Sequence, residues 1–436
     1  MFNVDWNTKF LTEWDDKIID LAKSEGLDWY PINYEICDYY SMIGHMSYHG
    51  MPSHYGHWSH GKQFEVTHQR YNLGMEGLPY ELIINSDPSI AYLMRENAAY
   101  LQLLIMCHCV GHSDFFKHNR MFKDTRAETV IQRFRNGKKR IQKYVENPNI
   151  GIEKVERIID ACHAVQFQTD RYPFMKKSES EIRKKYVDLI NNDETGKYKN
   201  FDINRVPLEP NYDILEFVSK HANLEPWQQD IIEICRDQAK YFIPQIQTKI
   251  MNEGWASFWH YRLMHKLELP QKYHIPFLKS HNQVVRPHIG GLNPYHIGFE
   301  MFKKIEERYG LEECFLARET AHDVSFLRQY LTQEDCYELG LFSFAKNRDQ
   351  YEITDISDDE GWKSVRDDLL AQVGTNGIPV IYVDEVEEGN VLVLRHDHDG
   401  RDIDLQHADE VVLHISHLWG DVVKLYTEVE GDTWEI

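Results

Sequence analysis

Apolar residues recur every three to four positions along most of the first 340 residues, the spacing that places them on one face of an α-helix. This pattern predicts helices at 10–24, 34–43, 126–144, 151–167, 179–191, 212–221, 294–309 and 325–331, and a long helix from Ser89 to His112. A further helix begins at Pro226, and Pro244 should interrupt or kink it before a new helix starts at Gln247, because proline has no amide hydrogen. Residues 81–85 are predicted as a short strand, and the glycine- and histidine-rich residues 44–62 as a loop.

The pattern changes after residue 343. An acidic, loop-like stretch at 354–361 is followed by a predicted helix at 362–373, strands at 379–383 and 390–396, a helix at 404–419 and a strand at 421–426. The sequence therefore predicts a mainly α protein. A large helical domain should cover residues 1–340 and a small C-terminal α+β domain residues 355–436, with the boundary near 340–355.

Composition and charge narrow the classes of function. The net charge of −22 argues against a non-specific nucleic-acid binder and against adhesion to anionic lipid, since both need a basic face. No apolar run approaches the roughly 20 residues that span a bilayer, and the first residues do not form a secretory signal. The seven cysteines are scattered and odd in number, which disfavours a disulfide framework. We expect a cytoplasmic protein with neither a nucleic-acid partner nor a membrane span.

The segment 251–261 is predicted to be helical, yet it carries an acid and an imidazole among tryptophan and phenylalanine residues. At about 100° per residue, Glu253, Ser257 and His260 lie near one line along the helix. A buried carboxylate needs a cation, a donor or a proton of its own, because an unpaired buried charge is costly. A group that meets Glu253 is therefore expected elsewhere in the chain.

His108 and His112 are the best candidates for that partner site. They stand four residues apart at the end of a mostly apolar helix, so their imidazoles share one face and emerge from the core. Two histidines and one carboxylate suit zinc with an open position, or a non-haem Fe(II) centre. The sequence thus predicts a divalent metal, with zinc preferred and iron as the alternative, bound by His108, His112 and Glu253 in a metallopeptidase-like core. His260 could be a fourth ligand or an outer hydrogen-bond partner.

The base of a hydrolytic reaction is less evident. Zinc peptidases with this helical spacing place glutamate directly after the first histidine, whereas this chain has Cys109 there. Either Glu253, His260 or His57 takes the proton, or the chemistry is not peptide hydrolysis. Two simpler structural roles are possible: His260 could bond a buried tyrosine, and the loop that carries His57 could only pack its aromatic residues.

With these residues in view, the chain resembles the stage V sporulation protein R family. The resemblance covers nearly the whole length and rests on five blocks in the same order: His57-Trp58-Ser59 with Gly61-Lys62, residues 81–88, His108 and His112 with residues 115–117, residues 252–260, and Asn293-Pro294-Tyr295 with residues 298–299. It implies a bacterial cytoplasmic protein that is associated with spore cortex formation in spore formers. Relatives in non-sporulating bacteria go with stress and stationary-phase genes, including a PrkA-type serine kinase. The resemblance implies no particular reaction.

Three hypotheses follow from the sequence. The favoured one is a metal-dependent hydrolase of an amide or peptide bond related to the cell wall, in which His260 and His57 assist catalysis. The second is a non-haem iron oxygenase with the same three ligands. The third is a non-catalytic regulatory partner in a kinase-linked stress pathway, whose acid and histidines form a buried hydrogen-bonded network.

Overall fold

The computed structural model describes residues 5–73, 81–170, 177–198, 201–288, 291–347 and 350–436. The helices are α1 (Thr8–Ser24), α2 (Tyr39–Ser47), α3 (Trp58–Asn72), α4 (Ala99–His118), α5 (Val130–Glu146), α6 (Gly151–Val165), α7 (Glu179–Asn191), α8 (Ile214–His221), α9 (Pro226–Gln247), α10 (Lys249–Lys266), α11 (Gln271–Val284), α12 (Pro294–Tyr309), α13 (Leu311–Thr320), α14 (Asp323–Tyr330), α15 (Gln333–Glu338), α16 (Trp362–Gln372) and α17 (Leu405–Trp419). The strands are β1 (Ile32–Cys37), β2 (Glu81–Ile84), β3 (Ser89–Met94), β4 (Ser343–Asn347), β5 (Gln350–Asp355), β6 (Ile381–Glu387), β7 (Val391–His396), β8 (Val423–Val429) and β9 (Asp432–Glu435).

The mainly helical fold predicted from the hydrophobic pattern is confirmed, and so is a C-terminal region that contains a sheet. The bounds of α6, α7, α12 and α17 lie within about two residues of the predicted ones, the usual uncertainty at helix ends. Each of these helices has an apolar face long enough to fix its period. Where the apolar face was clear, the local sequence was sufficient to predict the helix and its bounds.

Two predicted helices were wrong because the chain forms strands there. Residues 34–43 divide into β1 and α2, and Asp38 ends the strand and caps the helix by accepting from the Ser41 amide at 2.9 Å. The helix expected from Ser89 begins only at Ala99, since residues 89–94 form β3. Strand β3 lies between β1 and β2, parallel to the first and antiparallel to the second. Pairing with two neighbours overrode the local helical pattern.

In two further segments, a helix begins or ends at a different residue from the one predicted. The predicted loop 44–62 ends early, because α3 begins at Trp58 and carries Gly61 within its first turns. Pro244 does not end its helix; α9 continues to Gln247, and the break falls at Thr248, whose hydroxyl donates to the Pro244 carbonyl at 2.6 Å. A proline removes its own amide donor and so frees the carbonyl four residues earlier, but the helix continues past Pro244.

The chain forms two compact units, each built from two stretches of sequence. The first unit contains residues 1–138 and 241–377. Its core centres on α4, α10 and α12, with the aromatic side chains of Trp255, Phe258, Trp259 and Phe302 fully buried. The sheet β1-β3-β2 and the hairpin β4–β5 belong to the same unit. All residues of the predicted metal site lie in this unit.

The second unit contains residues 139–240 and 378–436. Its sheet has the order β6-β7-β8-β9, in which β7 and β8 run parallel and α17 makes the connection that a parallel pair requires. Val383 of β6 exchanges backbone hydrogen bonds with Asn211, at 2.8 and 3.0 Å. The C-terminal sheet is thereby joined to the middle of the chain.

These units differ from the contiguous division drawn at 340–355, since residues 355–377 belong to the first unit and residues 378–436 join residues 139–240. Periodicity shows where one kind of element gives way to another, but it does not show which distant segment an element contacts. The proposed boundary therefore stays a prediction about where the chain is cut most readily. Within the described part of the chain, no helix combines the length and apolar character that crossing a bilayer requires.

Candidate metal centre

Helix α4 is buried on all sides from Leu101 to Phe116. Most of this stretch is apolar, but His108, His112 and Asp114 are polar and still less than about one-twentieth exposed. Buried polar groups are almost always bonded, so each of these side chains must find its partner inside the unit. The partners come mainly from α10.

Helix α10 contacts both α4 and α12 backbone to backbone at the site. A Cβ atom at Gly111 would lie 2.7 Å from the Cα of Ala256, so α4 and α10 cross where glycine faces alanine. Gly254 and Gly298 allow the same close approach of α10 and α12. Glycine leaves no side chain between the helices. His112 and Glu253, each one residue from such a glycine, are therefore held close together.

Three potential ligands converge at this crossing. Glu253 Oε2 lies 3.4 Å from His112 Nε2 and 3.6 Å from His108 Nε2, and the donor atoms of all three residues lie within 4.8 Å of one another. Around a tetrahedral zinc ion with ligands at about 2.1 Å, two ligand atoms stand about 3.4 Å apart. The spacing of these atoms fits a small divalent cation. Their chemistry, two imidazoles and a carboxylate, fits zinc or Fe(II).

The electrostatics of Glu253 point in the same direction. Its side chain is 19% exposed, but Oε2 is buried and makes no hydrogen bond of acceptable geometry with the described residues. Burial acts to raise the pKa of Glu253, yet His112 and His108 outweigh it and hold that pKa well below the usual range. The carboxylate is thus ionised and faces a place where positive charge is favourable.

Asn252 fixes the orientation of His112. The two side chains bond at 2.8 Å, between His112 Nδ1 and Asn252 Oδ1. Because an amide oxygen only accepts, Nδ1 of His112 carries the proton and donates it. In a neutral ring, Nε2 then carries the lone pair that is available to a cation beside Glu253. A ligating histidine usually donates its other ring nitrogen to such a partner.

His108 is held by a second imidazole, and that one by a third. His108 Nδ1 lies 2.8 Å from His260 Nδ1, and His260 Nε2 lies 2.8 Å from His281 Nδ1. Burial, with the neighbouring imidazoles, lowers the pKa of His260 well below its ordinary value, and burial lowers that of His281 to about 4. Both rings are neutral at pH 7. Because both nitrogens of His260 are engaged, its geometry favours an outer partner of His108 over a fourth ligand.

A buried ion pair fixes α4 against α10 and α13. Asp114 Oδ2 accepts from Arg318 Nη1 and from Trp255 Nε1, each at 2.9 Å, and Asp114 Oδ1 accepts from the Asp28 amide at 3.0 Å. The side chains of Asp114 and Arg318 are 1% and 7% exposed. Removing either partner would leave an uncompensated charge in the core.

Asp323 caps the start of α10. Its two carboxylate oxygens accept from the amides of Ile250 and Met251, each at 2.9 Å. Burial raises the pKa of Asp323 to about 7, although the two amide hydrogen bonds act to lower it. The first turn of α10 is therefore fixed two residues before Glu253.

His57 has its described contacts in its own segment. It is the N-cap of α3, its Nδ1 lies 2.8 Å from the Ser59 hydroxyl, and its ring packs 6.2 Å from that of His60. His60 in turn packs against His54 and Tyr48, at 4.8 and 4.7 Å between ring centroids. The structure thus brings His108, His112, Glu253 and His260 together. His57 lies beside the ring of His60, and its role at the metal centre stays a prediction.

Sequence reasoning missed two residues of the centre, Asn252 and His281. Asn252 stands directly before Glu253 within the segment that carries the family resemblance, so its position was a usable signal. His281 lies in α11, a helix absent from the predictions because Pro276 stands in its middle. Only the packing of α11 shows that His281 bonds His260.

A second acidic group lies in the other unit. Asp170, Asp213 and Glu216 have donor atoms within 4.8 Å of one another. Arg236 and Lys240 contact Asp213 at 2.7 and 3.1 Å, and Arg236 also contacts Glu216 at 3.0 Å. These cations offset the charges of Asp213 and Glu216, which favours an ionic network over a metal site.

Comparison with known proteins gives one family and one relative. The family described as "SpoVR like protein" matches residues 5–378, a range that contains the whole candidate centre. The chain is similar to the "Uncharacterized protein YcgB" of Escherichia coli (strain K12), with 33% identity over 99% of this chain and 94% of that protein. No solved structure matches the chain.

Proposed function

The chain belongs to the family of SpoVR-like proteins, and on this premise and the geometry of its centre we propose that it is a metal-dependent hydrolase of an amide or peptide bond. His108, His112 and Glu253 would hold a divalent cation, zinc in the first place and iron in the second. The core would then resemble that of a metallopeptidase in its chemistry. The observation that carries the proposal is the spacing of 3.4 and 3.6 Å between Glu253 Oε2 and the two imidazoles.

A bound zinc ion would polarise a carbonyl and lower the pKa of a water molecule to about 7. The chain's own residues supply the rest. Asn252 and His260 orient the two imidazoles, and the buried surroundings of His108 exclude bulk water from one side. The side chain of Glu253 is 19% exposed, and we propose that a substrate approaches the centre from this side.

Proton transfer is assigned in the proposal to His260, with His57 as a second candidate. His260 is neutral at pH 7 and bonded at both ring nitrogens, so it can accept a proton at one and release one at the other. Cys109 stands in the position of the usual glutamate base, so the proton acceptor must be another residue.

The biological setting is proposed from the family. We propose a cytoplasmic protein in sporulation, through the spore cortex, or in a stress response linked to a PrkA-type serine kinase. A peptide related to the cell wall is the proposed substrate. Neither a nucleic acid nor an anionic lipid surface suits a chain with a net charge of −22.

Metal analysis of gently purified full-length protein tests the proposal. About one equivalent of zinc, together with hydrolysis of an amide substrate, supports the hydrolase. One equivalent of iron with oxygen-dependent turnover replaces it by a non-haem oxygenase. A protein that binds no metal, yet folds and binds its kinase-pathway partner normally, would instead be a regulatory protein with a buried polar network.

A further inference from the structure

The three imidazoles of His108, His260 and His281 form a continuous hydrogen-bonded chain. The two bonds are both 2.8 Å long, and the three rings are 2%, 1% and 2% exposed. This row of imidazoles begins at His108, a proposed metal ligand on α4, continues with His260 on α10 and ends with His281 on α11. Solvent cannot substitute for a missing member, because every ring is buried.

Each neutral imidazole has one proton, so a ring bonded at both nitrogens donates at one and accepts at the other. For His108 to offer the lone pair of Nε2 to a cation, its proton must lie on Nδ1 and be donated to His260 Nδ1. His260 then carries its proton on Nε2 and donates it to His281 Nδ1. His281 must accept at that atom and carry its own proton on Nε2.

The opposite polarity satisfies the same two distances. In it, His281 Nδ1 donates to His260, His260 Nδ1 donates to His108, and the proton of His108 lies on Nε2, facing Glu253. A proton on Nε2 blocks ligation by that atom. The two polarities differ in whether His281 accepts a hydrogen bond from His260 or donates one to it. The residue at position 281 therefore decides which polarity the three imidazoles adopt.

We propose that His281 is a positioning residue of the metal centre, which accepts from His260 and thereby holds His108 in the tautomer that binds a cation. The inference rests on the proposed metal site. His281 is fixed for this task, because its ring packs against Tyr261 and Phe299, with centroids 4.7 and 4.9 Å away. It does for His108, through one intervening ring, what Asn252 does directly for His112.

The test is the zinc affinity of metal-free, full-length protein, measured by competition with a chromophoric chelator. H281F removes the acceptor, and H281Q keeps one in its amide oxygen. We expect H281F to weaken zinc binding about 10- to 100-fold, the effect typical of losing an outer partner of a ligand, and H281Q to stay within about threefold of the parent. His274→Phe, on the same helix but bonded to the Leu269 carbonyl, is the control and should bind like the parent.

Cobalt(II) absorption spectra give a second readout, and H281F should change them while the control does not. If H281F binds zinc within about twofold of the parent, or if H281Q binds as weakly as H281F, the inference is overturned. Should H281F not fold, the smaller H281L allows the same comparison. A parent protein that binds no zinc at all overturns the proposed function itself, an outcome distinct from equal binding by parent and variants.

Discussion

Gly254 and Gly298 face each other so closely that a Cβ atom on Gly254 would lie 2.4 Å from the Cα of Gly298. Both are helical residues, on α10 and α12, so the contact is between two backbones. Glu253 immediately precedes Gly254 in α10. The position of the proposed carboxylate ligand therefore depends on a helix contact that admits no side chain.

Gly254→Ala should destabilise the protein strongly. Its methyl group would meet backbone atoms, which cannot rotate away, so we expect a loss of about 3 kcal/mol in the free energy of unfolding, the upper end for overpacking. Urea unfolding measures it. Gly61→Ala is the matched control, because a Cβ there meets nothing within 4 Å and alanine favours a helix. Equal stability of both variants would contradict the close contact.

His112→Ala should abolish metal retention while leaving the helix content largely intact. The substitution removes one of three ligands and leaves Asn252 without its partner, so we expect metal affinity to fall by more than the roughly 10- to 100-fold typical of losing an outer partner of a ligand. Metal analysis measures the metal that the variant retains, and circular dichroism measures its helix content. His265→Ala, an exposed histidine on α10 bonded to the Tyr261 carbonyl, is the control. A full equivalent of metal in His112→Ala would show that the ligand assignment is wrong.

Arg318→Met should cost about 3–5 kcal/mol, because it leaves Asp114 charged in the core. Adding Asp114→Leu to it should recover part of that loss, since the double variant buries no unpaired charge. Chemical unfolding of the two variants gives the difference. Lys9→Met, in the exposed pair with Glu13, should change stability by less than about 0.5 kcal/mol. If Arg318→Met lowered the free energy of unfolding no more than Lys9→Met does, the buried ion pair would have no structural role.

The buried imidazoles of His60 and His281 should lower the stability of the metal-free protein as the pH falls from about 6.5 to about 4, whereas Asp323, whose pKa burial raises to about 7, contributes in the opposite direction. Burial lowers the pKa of both His60 and His281 to about 4, whereas the unfolded chain takes up these protons near 6.5. At these two histidines the unfolded state thus binds more protons in this window, and each of them contributes a loss of about 2 kcal/mol by pH 5. Urea unfolding at pH 7.5 and pH 5 measures it. His60→Gln should reduce the difference, whereas His407→Gln, at an exposed position, should not.

Limited proteolysis should cut preferentially within 345–361. This prediction comes from the acidic, loop-like character of residues 354–361 and from the change of pattern after residue 343. Mass spectrometry of the early fragments identifies the sites. Cleavage confined to 90–260 would argue against a boundary near 340–355 and in favour of units that separate elsewhere.

The sequence by itself determined those features that depend on neighbours within about four residues. The apolar faces of α6, α7 and α12, the shared face of His108 and His112, and the alignment of Glu253 with His260 all follow from helical periodicity. The family resemblance could also be found from the sequence, because each of its blocks is a short run of neighbouring residues. For this reason the mainly helical fold and the potential ligands could be named before the structure.

Tertiary structure alone decided which distant groups meet. His112 and Asn252 are 140 residues apart, and His108 and His260 are 152 apart, so no local pattern encodes their bonds. The same holds for β1 and β3, whose residues become strands only because each has a partner to pair with. Local sterics and hydrogen bonds fix the backbone of a helix, but ring orientation and strand pairing depend on contacts that form only when the chain folds.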